Sequence, residues 1–542
     1  MALFDWLKGR KAEVTADEEL DNLPWDRHPS IFEHIKAHIR PNKKGLDEGG
    51  ETLPDDERLN DDSQIRWAAG ARDGVTTHHV GSQDHDQQVA KLLDLVLAYC
   101  NAPTVKNKLA VYQFVLKHDV IGWIDQFTEA LGNEPRLNHE RFYELVKSLT
   151  MESPDREPVK FGVAILGSYR QEDDQEIFHV LGRHDEFTVF CAVALHNCSD
   201  DAEAQLWKLA RNVDGWGRIS IVERMTDTEN PEIKDWLLRE GYKNSIMYEY
   251  LAYTCATTGG LLAALERETV DDELLTSAAE LIHALLNGGP ATDINGYDDG
   301  CAVVERFLEH MDVKATSLTQ LLTVVSIRNF LKEENADWEP REQLGWTSEA
   351  RDRMQQQCST IIERPEWRQK VIHGLEQSDD LIFYEANTAA AALKIDTWPY
   401  HWQRLQASPT DSGRWYHVMA QCDDRRIADA ITIAEKELPL AAIASGPADE
   451  MGFGPGFEGH SCLDFILQEL GRFPGHGAML IEAGLQSPTV RNRNMALKTL
   501  SEWGRDKWPD GMVASLKEAR AVEPNDDVRK RIADVIAGKP LE

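Results

Sequence analysis

Ser487-Pro488-Thr489-Val490-Arg491 leads into Asn494-Met495-Ala496-Leu497-Lys498-Thr499-Leu500, and Pro524-Asn525-Asp526-Asp527-Val528-Arg529 leads into Ile532-Ala533-Asp534-Val535-Ile536. Each stretch has a short polar turn with a capping residue, then Val-Arg, then apolar residues at helical spacing. Arg491 and Arg529 are 38 residues apart, a distance that fits a repeated pair of helices. Ser378-Asp379-Asp380 before Ala389–Leu393, and Asp423-Asp424-Arg425-Arg426 before Ile427–Ile433, are weaker copies.

This pattern resembles the HEAT and armadillo-like repeat class, closely over 480–542, loosely from 370, and only in composition before that. The resemblance implies an all-α helical-repeat solenoid. Each unit of two antiparallel helices has an apolar face that only a neighbouring unit can bury. It also implies that the Asp and Arg of a turn bond to neighbouring turns. Asp527 and Arg529 match those positions in a structural role.

Working outward, the rest of the chain reads as helical too. Leu92, Leu93, Val96, Leu97 and Cys100 recur at steps of three and four, as do Leu274, Leu275, Ala278, Leu281, Ile282 and Leu285. Phe161–Leu166 is the best candidate strand, although a buried helix start reads the same. No sheet larger than a hairpin is expected. Residues 46–62, LDEGGETLPDDERLNDD, hold eight acids and only three Leu. They read as a mobile acidic linker without regular structure, cut first by a protease. The expected division is a helical arm over 1–45, with a helix near Ile31–Ile39, the linker 46–62, a helical domain 63–370 and a HEAT-like region 371–542. Met1–Lys11 is apolar first and basic afterwards, so it reads as a short amphipathic helix and not a secretory signal.

The 542 residues carry 58 Lys+Arg against 93 Asp+Glu, a net charge of −35. Such a surface repels nucleic-acid phosphates and anionic lipid. It serves solubility first, and it attracts a basic protein. The eight cysteines form no C-x-x-C pair, and most lie in apolar helical runs. They read as buried free thiols of a reducing, cytoplasmic compartment, with Cys191, Cys255 and Cys301 as the clearest cases. No stretch of eighteen uncharged apolar residues offers a membrane span.

Three strings in the central region carry a second resemblance. They are Ile65-Arg66-Trp67-Ala68-Ala69-Gly70-Ala71-Arg72-Asp73-Gly74-Val75 with His78-His79, Gly215-Trp216-Gly217-Arg218-Ile219-Ser220-Ile221-Val222-Glu223-Arg224, and Trp236-Leu237-Leu238-Arg239-Glu240-Gly241. Over roughly 63–310 the chain resembles a bacterial family often labelled limonene hydroxylase. The label implies monoterpene oxidation and dehydrogenase activity on the alcohols, with no catalytic residue to carry over. Hydroxylation of an unactivated carbon needs a metal, haem or flavin. The nearest haem-thiolate loop, Phe453-Gly454-Pro455-Gly456-Phe457-Glu458-Gly459-His460-Ser461-Cys462, has Glu458 in place of the Arg and its Cys two residues late. It reads as a turn between helices. Neither Gly452–Gly459 nor Thr257-Thr258-Gly259-Gly260 follows a strand or precedes Gly-Lys-Ser/Thr, so no nucleotide loop and no cofactor are expected.

Two polar clusters remain. Asp73, His78, His79, Asp84, His85 and Asp86 have the side chains of a divalent-metal or two-His-one-carboxylate iron site, with Asp73, His78 and His79 as its ligands. The spacing fits a polar loop better. His179, Arg183, His184, Asp185 and Glu186, followed by His196 and Cys198, read as a surface pair at i, i+4 (His179 and Arg183) with a His/Cys site as the minor alternative. The aromatic runs Trp398-Pro399-Tyr400-His401-Trp402 and Arg414-Trp415-Tyr416-His417 read first as core and second as a peptide-binding face. The expected function is a non-catalytic cytoplasmic interaction scaffold for a basic protein. The alternatives are the monoterpene oxidoreductase of the label and an immunity-type inhibitor of a basic protein.

Overall fold

The computed structural model describes residues 23–41, 43–59, 68–71, 73, 85–539 and 541. The described residues are helical throughout, without a β-strand; Ile39–Leu46 and Glu450–Thr489 form isolated bridges. The expected all-α class holds. Phe161–Leu166 is helical, and the chain divides into two compact units, 1–361 and 362–542.

In the first unit the helices that carry the argument are α1 (Ile31–Ala37), α2 (Asp56–Leu59), α3 (Val105–Leu116), α4 (His139–Glu152), α5 (Arg156–Leu166), α6 (Asp185–Cys198), α7 (Gly215–Val222), α8 (Asp272–Asn287) and α9 (Leu318–Leu331). Helix α5 packs against α3, α4 and α6, α6 packs against α7, and α8 packs against α9. Pro158–Val163 of α5 are all buried, as befits a helix surrounded by others. Lys160 is the one charged residue in that run.

The acidic stretch expected to be a mobile linker is instead docked over 46–59. Leu46 and Leu53 are buried, α2 is a helical turn, and Asp55 is buried in a pair with Arg156. Asp55 and Asp56 both pair with Arg156 of the body, so they cement the segment in place instead of solvating it. Residues 60–62 lie outside the described residues.

The second unit comprises α10 (Glu366–Leu375), α11 (Asp380–Ala392), α12 (Trp398–Ala407), α13 (Ser412–Ala420), α14 (Ile427–Glu437), α15 (Leu440–Ile443), α16 (Glu458–Leu470), α17 (Ala478–Leu485), α18 (Val490–Trp503), α19 (Met512–Val522) and α20 (Asp526–Ile536). Helices α13, α16, α18 and α20 pack one on the next as a row. Helices α14 and α15 pack on α17, and α17 on α19, as a second row that meets the first. The core between them runs from Leu405 and Trp415 to Ile532 and Val535. The helix ends follow the sequence. Asn525 caps α20 by accepting the amides of Asp527 and Val528, and Val528, Ile532 and Val535 turn inward. The loop 453–457 is a turn that ends where α16 begins, and Cys462 is buried within that helix.

All eight cysteines are buried and free of disulfides. No helix among the described residues is long and apolar enough to cross a membrane.

Candidate functional site

The densest group of ionisable side chains is built around Lys160 on α5, whose side chain is 4 % exposed. Its Nζ lies 2.6 Å from Asp73 Oδ2, 2.7 Å from Glu186 Oε1 on α6 and 3.4 Å from Glu157 Oε1 one turn earlier. The amide of Val120 donates to the other oxygen of Glu157 at 2.8 Å, and the amide of Gly70 donates to Glu186 at 3.2 Å. Arg156 forms the second cationic centre. It grips Asp55 through Nε and Nη2 at 3.1 and 3.0 Å, reaches Asp56 at 2.5 Å and lies 3.6 Å from Glu186. Beside it, Arg58 and Tyr112 both bond Asp155. Residues 55–58, Gly70 and Asp73 are thus tied to α5 and α6 by charge.

The electrostatics follow from burial and pairing. Burial alone would pull the Lys160 ammonium down, but Glu186, Glu157 and Asp73 outweigh it and hold it above the ordinary lysine value. Burial would raise Glu186, yet Lys160 and Arg156 bring it down to about 2. Burial raises Asp73 and Glu157. An ammonium held this way carries its charge at neutral pH and neutralises the carboxylates around it.

Asp185 stands next to this group, at the first turn of α6. Burial, with Glu51 and Asp214 nearby, pushes its carboxyl up to about 8, against the opposing effect of the Gly217 and Trp216 amides. Two glycines make its setting possible. Gly70 has φ +69°, and a Cβ there would lie 2.6 Å from the Asp185 carbonyl oxygen. Gly215 has φ +55°, and a Cβ there would lie 2.3 Å from Asp185 Oδ2. Arg218, buried behind them, donates to the carbonyls of Val213, Glu240 and Lys243 at 3.1, 2.9 and 2.8 Å. The described residues of the three central strings are therefore joined through Asp185, Glu186 and Arg218.

Of the expected metal ligands, Asp73 turns its carboxylate to Lys160, while His78 and His79 lie outside the described residues, as does Asp84. His85 precedes a helix and bonds Gln88 through Nδ1 at 2.9 Å. Among the described residues no group of His, Cys, Asp and Glu is arranged to hold a metal ion. The second cluster is not a surface pair: His179 is buried and bonds Gln205 at 2.7 Å. His184 is buried, caps α6 through the Glu186 amide, and lies 3.3 Å from the Glu51 carbonyl. Lys160 and Arg156 escaped the sequence reading. The available signal was a lysine inside the apolar run Val159–Leu166.

The second unit has its own buried polar group. Arg493 and Glu523, 1 % and 0 % exposed, pair at 2.8 Å, and Arg493 donates to the carbonyls of Ser487 and Pro488 at 2.7 and 3.0 Å. Arg529 makes the corresponding bonds to the carbonyls of Glu523 and Pro524. The arginine that shares the turn-carbonyl contacts of Arg529 is thus Arg493, 36 residues before it, and not Arg491. Arg491 instead reaches back to Asp464 on α16, and Arg529 pairs Asp526 of its own turn. Asn492 links His460, Asp464 and Ser487 beneath them.

In the aromatic runs Trp415 and His401 are buried, while Trp398 and Trp402 are partly buried against the core. Trp415 is fully buried, and Trp398 stacks on Trp402 with centroids 5.0 Å apart and planes at 14°. Tyr416 is 47 % exposed. A comparison with known protein families finds no match, and no characterised protein matches the chain.

Proposed function

We propose that this chain is a cytoplasmic helical-repeat interaction protein of the HEAT-like kind, one that holds a basic partner protein and performs no chemistry of its own. The observation that carries the reading is the pair of helix rows in the second unit, in which each row member packs on the next. A stack of this type presents extended surfaces built from many helices. The charge supports the choice of partner: residues 1–361 hold 65 acids against 37 bases, and 362–542 hold 28 against 21. The Lys160 group supports the absence of chemistry, because its cation is held by carboxylates and its role is to fasten one segment to another.

The test has two arms. Cross-linking in intact cells followed by mass spectrometry should identify a basic protein whose association weakens as salt is raised. The purified chain, supplied with limonene, the corresponding alcohols, dioxygen and nicotinamide cofactors, should turn over none of them. Oxidation of any of these substrates, or stoichiometric iron, haem or flavin in the purified protein, would overturn the reading in favour of the monoterpene oxidoreductase. Loss of the partner's own activity in the complex would narrow the function to an inhibitor.

A further inference from the structure

The first turn of α11 exposes three large apolar residues within four positions. Leu381 is 72 %, Ile382 43 % and Tyr384 63 % exposed, while Phe383, Ala386, Ala389 and Ala390 face inward. Single exposed apolar residues are ordinary, but a contiguous group marks a contact surface. The turn is fixed in place, because Asp379 accepts the amides of Leu381 and Ile382 at 2.9 and 3.0 Å.

The local charge says what can cover this surface. From Val371 to Leu393 the chain has no Lys or Arg, and it has Glu376, Asp379, Asp380 and Glu385. Two arginines reach this end of α11 and both are held there. Arg404 bonds Asp380 and the Gln377 carbonyl and lies over the Phe383 ring at 4.0 Å, and Arg414 approaches the same Asp380. Four acids against these two arginines leave this end of α11 net acidic beside its apolar residues, which is complementary to a segment that is apolar and cationic together.

We propose that the exposed face of α11, with Leu381, Ile382 and Tyr384 at its centre, docks a segment of a partner protein in which large apolar residues alternate with Lys or Arg. This rests on the interaction reading above and names the surface and the partner chemistry. The apolar residues supply the affinity, and the acids select against anionic segments. Because the first turn is already ordered, little conformational freedom is lost on its side of the contact.

A display library of random sixteen-residue peptides, selected on the immobilised full-length chain, tests the proposal. The enriched peptides should combine Leu, Phe or Trp with Lys or Arg. The double variant Leu381→Ser/Tyr384→Ser should bind them about tenfold or more weakly, with an unchanged helical circular-dichroism spectrum. Enrichment of acidic or uncharged peptides would overturn the partner chemistry. Basic peptides that bind the variant as well as the native chain would overturn the location while leaving the interaction reading standing. A failure to enrich any peptide would overturn the proposal, and the cell cross-linking would still decide the wider reading. A dimer in sedimentation that the same substitutions disperse would replace the partner with a second copy and overturn it as well.

Discussion

Lys160 shows what a single buried charge does to its surroundings. Three carboxylates from two helices and the 68–73 segment converge on it, so its removal leaves them facing one another without a cation. Lys160→Met should cost about 3–5 kcal/mol of stability, the usual effect of breaking a buried pair on one side. Urea unfolding checks this, and a variant as stable as the native chain would contradict the central role of the lysine. Asp185 is the opposite case, a carboxyl with like charges nearby. Its folded value of about 8 lies above the ordinary value of 3.8, so the folded state binds the proton more tightly than the unfolded. The contribution from Asp185 is therefore fully present at acid pH and is lost as pH rises from about 4 to about 8. Asp185→Asn should gain stability relative to the native chain across that window, and thermal unfolding at several pH values should show the gap widening. Glu186 works in the other direction: lowered to about 2, it stabilises the fold above the ordinary glutamate range, and that contribution disappears as pH falls from about 4.5 towards 2.

At the scale of elements, the second unit separates two arginines that look alike in sequence. Arg493 is buried against Glu523 and two turn carbonyls, whereas the side chain of Arg491 is 42 % exposed. Arg493→Leu should cost about 3–5 kcal/mol and Arg491→Ala less than about 1 kcal/mol. Equal losses in denaturant melts would contradict the buried, paired role of Arg493. The helices themselves were legible, because the three-and-four spacing of apolar residues and the Asn525 cap are local signals. The arginine contacts were not: Val-Arg occurs at both turns, and only tertiary contacts reveal which arginine reaches the turn carbonyls. The docking of 46–59 was hidden for a related reason. Its composition is that of a solvated linker, and its ordering depends on Arg156, about a hundred residues away in sequence. Asp73 was singled out as a metal ligand, whereas its carboxylate meets a lysine inside an apolar run, which periodicity reads as a lapse in the pattern.

For the whole molecule, the division at 361 and 362 has an energetic meaning. The second unit holds a core that runs from Leu405 to Val535 within its own residues. With about 180 residues it is long enough to bury a stable core alone. Residues 362–542 expressed separately should therefore show a helical circular-dichroism spectrum and a cooperative thermal transition. A fragment that is soluble but melts without cooperativity would show that this core depends on the rest of the chain. The charge is divided as unevenly as the chain: the first unit carries most of the acidic excess, while several of the most exposed apolar side chains, among them Leu381 and Tyr384, belong to the second.

The stack of Trp398 on Trp402 has an optical consequence. Two indoles whose planes are nearly parallel and whose centroids are 5.0 Å apart share their electronic excitation. Where their in-plane transition moments are twisted relative to one another, the coupled transitions add a pair of bands of opposite sign to the far-ultraviolet spectrum, overlapping the helical bands. The indole pair is thus a built-in chromophore that reports the integrity of α12, and a spectrum of this protein read only as helix content would mistake its signal for backbone.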